Sequence, residues 1–224
     1  MPVWLFILVA VAVLCLPGIA LRFLLNGSLD PLHALLSFFF SLNLVVSYWE
    51  ICLYFRRDYI ERRVVFWREE RERRQRSPAR LFLQQHVTAR NAFSATFWAD
   101  IWASYSLYDG SYADRRSFGF TCDIGNGFVT PLPSLVLYAT FTVPFLPATV
   151  AGAIGAMLFW QWVYVTSGYW VSFFVVGRHR RLGALEAVLH VHLANSLWVL
   201  VPLVGIYVSV RLILDGNYAV LGLG

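Results

Sequence analysis

The sequence predicts an all-α integral membrane protein: a five-transmembrane-helix bundle with cytoplasmic amphipathic helices between the second and third spans. Three observations carry that prediction. First, 58% of the 224 residues are hydrophobic and only 14% are charged, with a mean hydropathy of +0.60, too apolar a mixture for a domain whose surface faces water. Second, five stretches, about 3–25, 32–55, 118–146, 149–176 and 187–213, are apolar enough to supply the roughly 20 residues that a helix needs to cross a bilayer. Third, the connection 56–117 holds thirteen arginines, and the other connections hold few. The chain reads as one membrane domain.

Each element has its own signature. The first span has no cationic start and no small-residue cleavage site before Arg22, so a retained helix is expected rather than a signal peptide. Pro17-Gly18 is expected to kink it. The second span runs into RRDYIERRVVFWREERERRQR, which reads as its continuation into an arginine-rich helix. Asp58/Arg62, Glu69/Arg73, Glu70/Arg74 and Glu72/Arg76 are i,i+4 pairs with the acid N-terminal, the orientation that supports a helix. Val64, Val65, Phe66 and Trp67 suit the headgroup region, with the arginines on anionic lipid headgroups. The interspersed glutamates and the place between two spans argue against nucleic acid.

Ser77-Pro78 should end this helix, and LFLQQHVTARNAFSATFWADIW reads as a second interfacial helix leading to Trp102. The third span begins in FGFTCDIGNGF, and the fourth and fifth are joined by a short loop bearing Arg178, Arg180 and Arg181. With both basic loops facing the cytoplasm, five spans place the N-terminus inside and the C-terminus outside. All eighteen basic residues are arginine, a bias that suggests a GC-rich genome and a bacterial inner membrane. Cys15, Cys52 and Cys122 lie in apolar segments without CxxC spacing, so neither disulfide nor zinc site is expected. No metal or other cofactor is expected.

Ionisable residues inside a membrane are expensive and are candidate functional sites. Here they are Glu50 in the second span, Asp123 at the start of the third, and Glu186, His190 and His192 at the start of the fifth, with Asn43 and Asn195 as polar companions. Each acid also has a plain structural partner within reach: Arg56 for Glu50, Arg115, Arg116 or Tyr112 for Asp123, Arg180 or Arg181 for Glu186. His192, Asn195 and Trp198 fall three apart and share a helix face, and His190 points elsewhere. The topology puts Glu50, Asp123 and that stripe near one membrane face. An apolar pocket disfavours the charged form of a carboxyl group, so one acid of a pair can hold a proton that its neighbour later takes back. That is general acid–base chemistry on a lipid-soluble substrate, with tryptophan faces suited to a transient cation.

At these residues the chain resembles the emopamil-binding protein family, the EXPERA-domain superfamily that includes the sterol Δ8–Δ7 isomerase and sigma-2 receptor relatives. Trp102, Tyr105, Asp109, Tyr112 and Asp123 reproduce the spacing of its loop-to-helix motif, followed by Thr130-Pro131-Leu132. Asn195, Trp198 and Pro202 match the fifth span, SGYWVSFF the fourth, and EICLYF from Glu50 the second. The match covers roughly residues 36 to 213. It differs at Val46, where the isomerase carries histidine one turn before its glutamate, and at Asp123, where the family has glutamate.

The resemblance implies a catalytic group of Glu50 and Asp123, with His192 in place of the missing histidine. It implies ligand contacts from Asn195, Trp198, Tyr105, Asp109, Tyr112 and Trp102, with Asp109 and Tyr112 organising the loop rather than reacting. The function implied is a membrane isomerase that shifts a double bond in a sterol or isoprenoid-like lipid. Two other readings fit the same residues: a non-catalytic relative that binds sterol-like or amine ligands, and a structural or assembly subunit of a larger membrane complex or homo-oligomer, docked through the basic loop.

Overall fold

The computed structural model describes residues 1–223, which are all-helical apart from connections and a single isolated bridge between Pro2 and His86. Four helices are long and apolar enough to cross a membrane: α1 (Val3–Asn26), α2 (Pro31–Phe55), α8 (Ala148–Val175) and α9 (Ala184–Asp215). They agree to within about three residues with four of the five expected spans.

The expected third span differs. Residues 118–146 contain two 12-residue helices, α6 (Phe118–Val129) and α7 (Pro131–Thr142). Proline has no N–H to donate, so Pro131 and Pro133 remove two ladder bonds at the same place. At 1.5 Å per residue each piece is about 18 Å long, short of the ~30 Å hydrocarbon core.

The basic connection holds three helices. α3 (Arg57–Arg74) begins after a break at Arg56, whose backbone leaves the helical region (φ −121°, ψ 20°), and ends at Gln75 in the left-handed region. Ser77-Pro78 then starts α4 (Pro78–Leu83): the Ser77 hydroxyl accepts the Arg80 N–H, and proline takes the first helical position, where a missing donor is harmless. The expected second interfacial helix is two pieces, α4 and α5 (Ala95–Tyr105), the latter capped by the Ser94 hydroxyl on the Phe97 N–H.

The chain divides into two compact units. The first comprises Met1–Val9, Val45–Phe128 and Tyr169–Ala194. Its core is aromatic: Trp98 stacks on Trp49 with centroids 5.7 Å apart, and meets Phe6, Phe82 and Phe97. α3 is tied to α5 by Arg63, whose guanidinium holds both oxygens of buried Asp100 at 2.9 and 3.2 Å, while the Tyr59 hydroxyl donates to the same carboxylate. Of the four expected i,i+4 pairs, Glu70/Arg74 forms at 2.7 Å. Asp58 and Glu61 instead share Arg115, and Glu186 pairs with Arg71 at 2.7 Å rather than with Arg180 or Arg181.

The second unit comprises Ala10–Leu44, Val129–Gly168 and Asn195–Gly224. Its core joins Phe39, Phe40, Phe141, Phe159 and Trp162. α8 meets α9 closely enough that a Cβ at Gly152 would lie 2.6 Å from the Ser209 carbonyl oxygen, and one at Gly205 2.5 Å from the Phe159 ring. Small residues at a helix contact are the usual device where lipid offers no hydrophobic driving force. Arg22 is buried, and its guanidinium donates to the carbonyls of Phe141, at 2.8 Å, and Leu221.

Candidate functional site

The first unit brings together six of the residues that the sequence singles out: Glu50, Trp102, Tyr105, Asp109, Tyr112 and Asp123. α5 supplies Trp102 and Tyr105 one turn apart. The chain then turns at Asp109, whose carboxylate accepts the Ser111 N–H at 2.9 Å and so caps the 3-10 turn Gly110–Ala113 that carries Tyr112. α6 follows and turns Asp123 and Asn126, three residues apart and therefore on one face, toward the Glu50 end of α2.

Asp109 is fully buried. Besides the Ser111 N–H, its carboxylate accepts the Tyr169 hydroxyl at 2.6 Å and the Arg178 guanidinium at 3.1 Å. A buried charge is tolerated when it is paired and its lone pairs are filled, and here three donors do so. Every oxygen of Asp109 is engaged in holding the loop to the end of α8. Trp102 is fixed likewise, its indole N–H donating to the Trp49 carbonyl at 2.7 Å, and the Tyr105 hydroxyl donates to the His190 carbonyl at 2.6 Å.

Glu50 is 4% exposed, and its partner is an amide rather than Arg56. The Asn126 side-chain NH2 lies 2.8 Å from both carboxylate oxygens. This approach depends on Gly127, where a Cβ would lie 2.7 Å from that of Glu50 and 3.1 Å from the backbone of Ser47 and Ile51. Asp123 is half-buried. It lies near Tyr112 and Cys122 and is an electrostatic neighbour of Glu50. The Tyr112 ring lies between Trp102, at 4.9 Å between centroids, and Tyr105, at 5.3 Å. Burial first, and then the negative charge of Asp123, push the Tyr112 phenol well above the ordinary tyrosine range.

No family model, curated protein or solved structure matches this chain. The chemistry of the site therefore has to be read from its own geometry. Two carboxyl groups, from α2 and α6, lie within electrostatic reach of one another, and the first is gripped by the Asn126 amide. Such a pair can hold one proton between two acceptors and exchange it with a bound molecule. Among the described residues no group of three or more His, Cys, Asp and Glu side chains is placed to hold a metal ion.

The remaining residues lie elsewhere. The His192 ring stacks on Phe174 at 5.4 Å and touches Phe173 and Trp170, all on α8. His190 stacks on Tyr108 at 4.0 Å. Asn195 and Trp198 belong to the second unit, where the Trp198 indole N–H donates to the Asn43 side-chain carbonyl at 3.0 Å. The shared face expected for His192, Asn195 and Trp198 assumes an unbroken α-helix, but Ala187–Leu193 is wound as a π-helix, whose wider turn shifts the phase of the residues before it relative to those after.

Asn126, Tyr169 and Arg178 were not among the expected site residues. Asn126 had a local signal, an amide one turn after Asp123. Tyr169 and Arg178 had none, because their link to Asp109 spans 60 and 69 residues of sequence.

Proposed function

We propose that this protein is a membrane-embedded isomerase that shifts a double bond in a sterol or isoprenoid-like lipid by proton transfer. The observation that carries the reading is the electrostatic proximity of the Glu50 and Asp123 carboxyl groups in an aromatic setting. The neutral member of the pair donates its proton to one alkene carbon, leaving a carbocation at the other. Loss of a proton from the carbon next to the cation, to the ionised member, forms the displaced double bond and restores the pair with no net redox change. Asn126 and Tyr112 orient the two carboxyl groups and offer hydrogen bonds to whichever is ionised. The same reading makes residues 118–146 a third crossing broken at Pro131, with the basic helices and the N-terminus cytoplasmic and the C-terminus outside, in a bacterial inner membrane. The resemblance to the emopamil-binding protein family supports it through the spacing from Trp102 to Asp123.

Membranes containing the protein, incubated in D2O with lipid extract, should yield an isomerised lipid one mass unit heavier by chromatography and mass spectrometry. Glu50→Gln and Asp123→Asn should each lower the rate at least about 100-fold, the usual scale of an acid–base contribution. Deuterium incorporation by both variants at the wild-type rate would overturn the proposal.

A second reading has its own support. Val46 stands where the isomerase has histidine, and the described contacts of His192 are to aromatic rings of α8. A site with acids and aromatic rings but one donor fewer suits a sterol-like or cationic amine ligand, since an amine resembles the carbocation. Saturable amine binding without any deuterium incorporation would favour this reading over catalysis.

A further inference from the structure

The first unit contains a cleft of about 960 Å³ between α3, the turn after α5 and the segment after α8. Five arginines line it: Arg68 and Arg71 from α3, Arg116 before α6, and Arg178 and Arg181 after α8. Arg71, Arg116 and Arg178 are paired with Glu186, Asp114 and Asp109, which leaves Arg68 and Arg181 against Glu72 as the one other lining acid, a small positive excess. Arg68 and Arg71 are three apart on one helix face, and among the described residues neither Arg68 nor Arg181 has an ion-pair partner. Glu50 and Asp123 do not line the cleft.

Two lining residues also carry buried polar atoms with no hydrogen-bond partner among the described residues, the Ser111 hydroxyl and the Arg178 Nε. Ser111 is 2% exposed and the Arg178 side chain 10%. Asp109 and Ser172 fix the other two guanidinium nitrogens of Arg178 at 3.1 and 2.7 Å, so that Nε–H is held in place with nothing to donate to. Unsatisfied buried donors in a natural protein call for an explanation, and an acceptor in the adjoining cleft supplies one. Phe118 and Val176, both exposed, line the same cleft and give the anion's neighbour an apolar surface.

We infer that this cleft is a binding site for a phosphate or diphosphate group. Converging guanidinium groups suit phosphate oxygens, which accept several charge-assisted hydrogen bonds at once, and a volume of about 960 Å³ falls within the size of small-molecule sites. The source is either the headgroup of an anionic lipid, with its chain against Phe118 and Val176, or a free phosphate compound. The inference is independent of proton transfer at Glu50.

The test uses the full chain in phosphatidylcholine nanodiscs, titrated calorimetrically with inorganic diphosphate, with retained phosphatidic acid measured by native mass spectrometry. Arg68→Gln/Arg181→Gln removes two charges without breaking an observed ion pair and should weaken diphosphate binding at least about tenfold, the scale of losing charged hydrogen bonds. Arg73→Gln/Arg74→Gln, on the same helix but outside the cleft, should stay within about twofold. Thermal unfolding of both variants shows whether either is misfolded. If phosphatidic acid in the discs competes with diphosphate, the natural occupant is a lipid headgroup; if diphosphate binds unaffected by it, the occupant is a soluble phosphate. If the wild type neither binds diphosphate nor retains phosphatidic acid, the inference is overturned. Equal weakening in the two double variants does so as well, since it would reduce the effect to diffuse charge.

Discussion

Asp109 shows how one residue is given its role by its surroundings. Its carboxylate is fully buried and accepts the Ser111 N–H, the Tyr169 hydroxyl and the Arg178 guanidinium, which joins three separated stretches of chain. Removing one member of a buried charged pair leaves the other uncompensated and typically costs about 3–5 kcal/mol. Asp109→Ala should therefore lower stability by that order, read as a fall in the midpoint of thermal unfolding in detergent. Asp109→Asn, which keeps the shape and part of the hydrogen bonding, should be milder. The part of this arrangement legible in the sequence was the local one: an aspartate followed by Gly-Ser is a familiar turn cap. The part that was not legible is the pairing with Tyr169 and Arg178, which depends on where α8 ends in space.

At the scale of elements, α6 and α2 illustrate why a glycine was needed in an otherwise good helix. Glycine lowers helix propensity, yet Gly127 lies against the Glu50 Cβ and the Ser47 and Ile51 backbone, where any side chain would be 2.7 to 3.1 Å from its neighbours. Gly127→Val should push the two helices apart and break the Asn126 contact to Glu50, with a destabilisation of about 1–3 kcal/mol from overpacking. Measured against wild type, its unfolding midpoint should fall, and any Glu50-dependent activity should fall with it; an unchanged midpoint and activity would mean that the close approach is not required. The glycine itself is plain in the sequence. Its reason is not, because a steric requirement appears only when the facing helix is in place.

Across the first unit, many polar groups are held by being kept uncharged or paired. Tyr112, Tyr59 and Tyr108 all have phenols pushed above the ordinary range by burial, with Tyr59 reaching about 12 beside Asp100. Because the folded-state values exceed the unfolded ones, this contribution to stability is fully present below about pH 10, the unfolded tyrosine value, and is lost as pH rises beyond it. Phenolate absorbance during alkaline titration should thus show some tyrosines ionising normally and a late group appearing together with loss of helical circular dichroism. If all eleven tyrosines titrate near pH 10 while the helices persist, these phenols are not buried as described.

Apolar length along the chain is a local, additive property, and it alone was enough to locate four long helices to within a few residues. Residues 118–146 have that same apolar length, yet Pro131 and Pro133 remove two backbone donors two residues apart and leave two short helices, α6 and α7. Regular periodicity could also suggest that His192, Asn195 and Trp198 share a face, but the π-helical turn at Ala187–Leu193 breaks the regularity that such counting requires. The sequence by itself determined the helical, membrane-suited class of the protein and pointed to Glu50 and Asp123 as polar residues in apolar surroundings. Only the tertiary structure decided that Glu50 meets the Asn126 amide in place of Arg56, because hydrogen bonds form between residues brought within about 3 Å and no spacing along a chain fixes distances between helices.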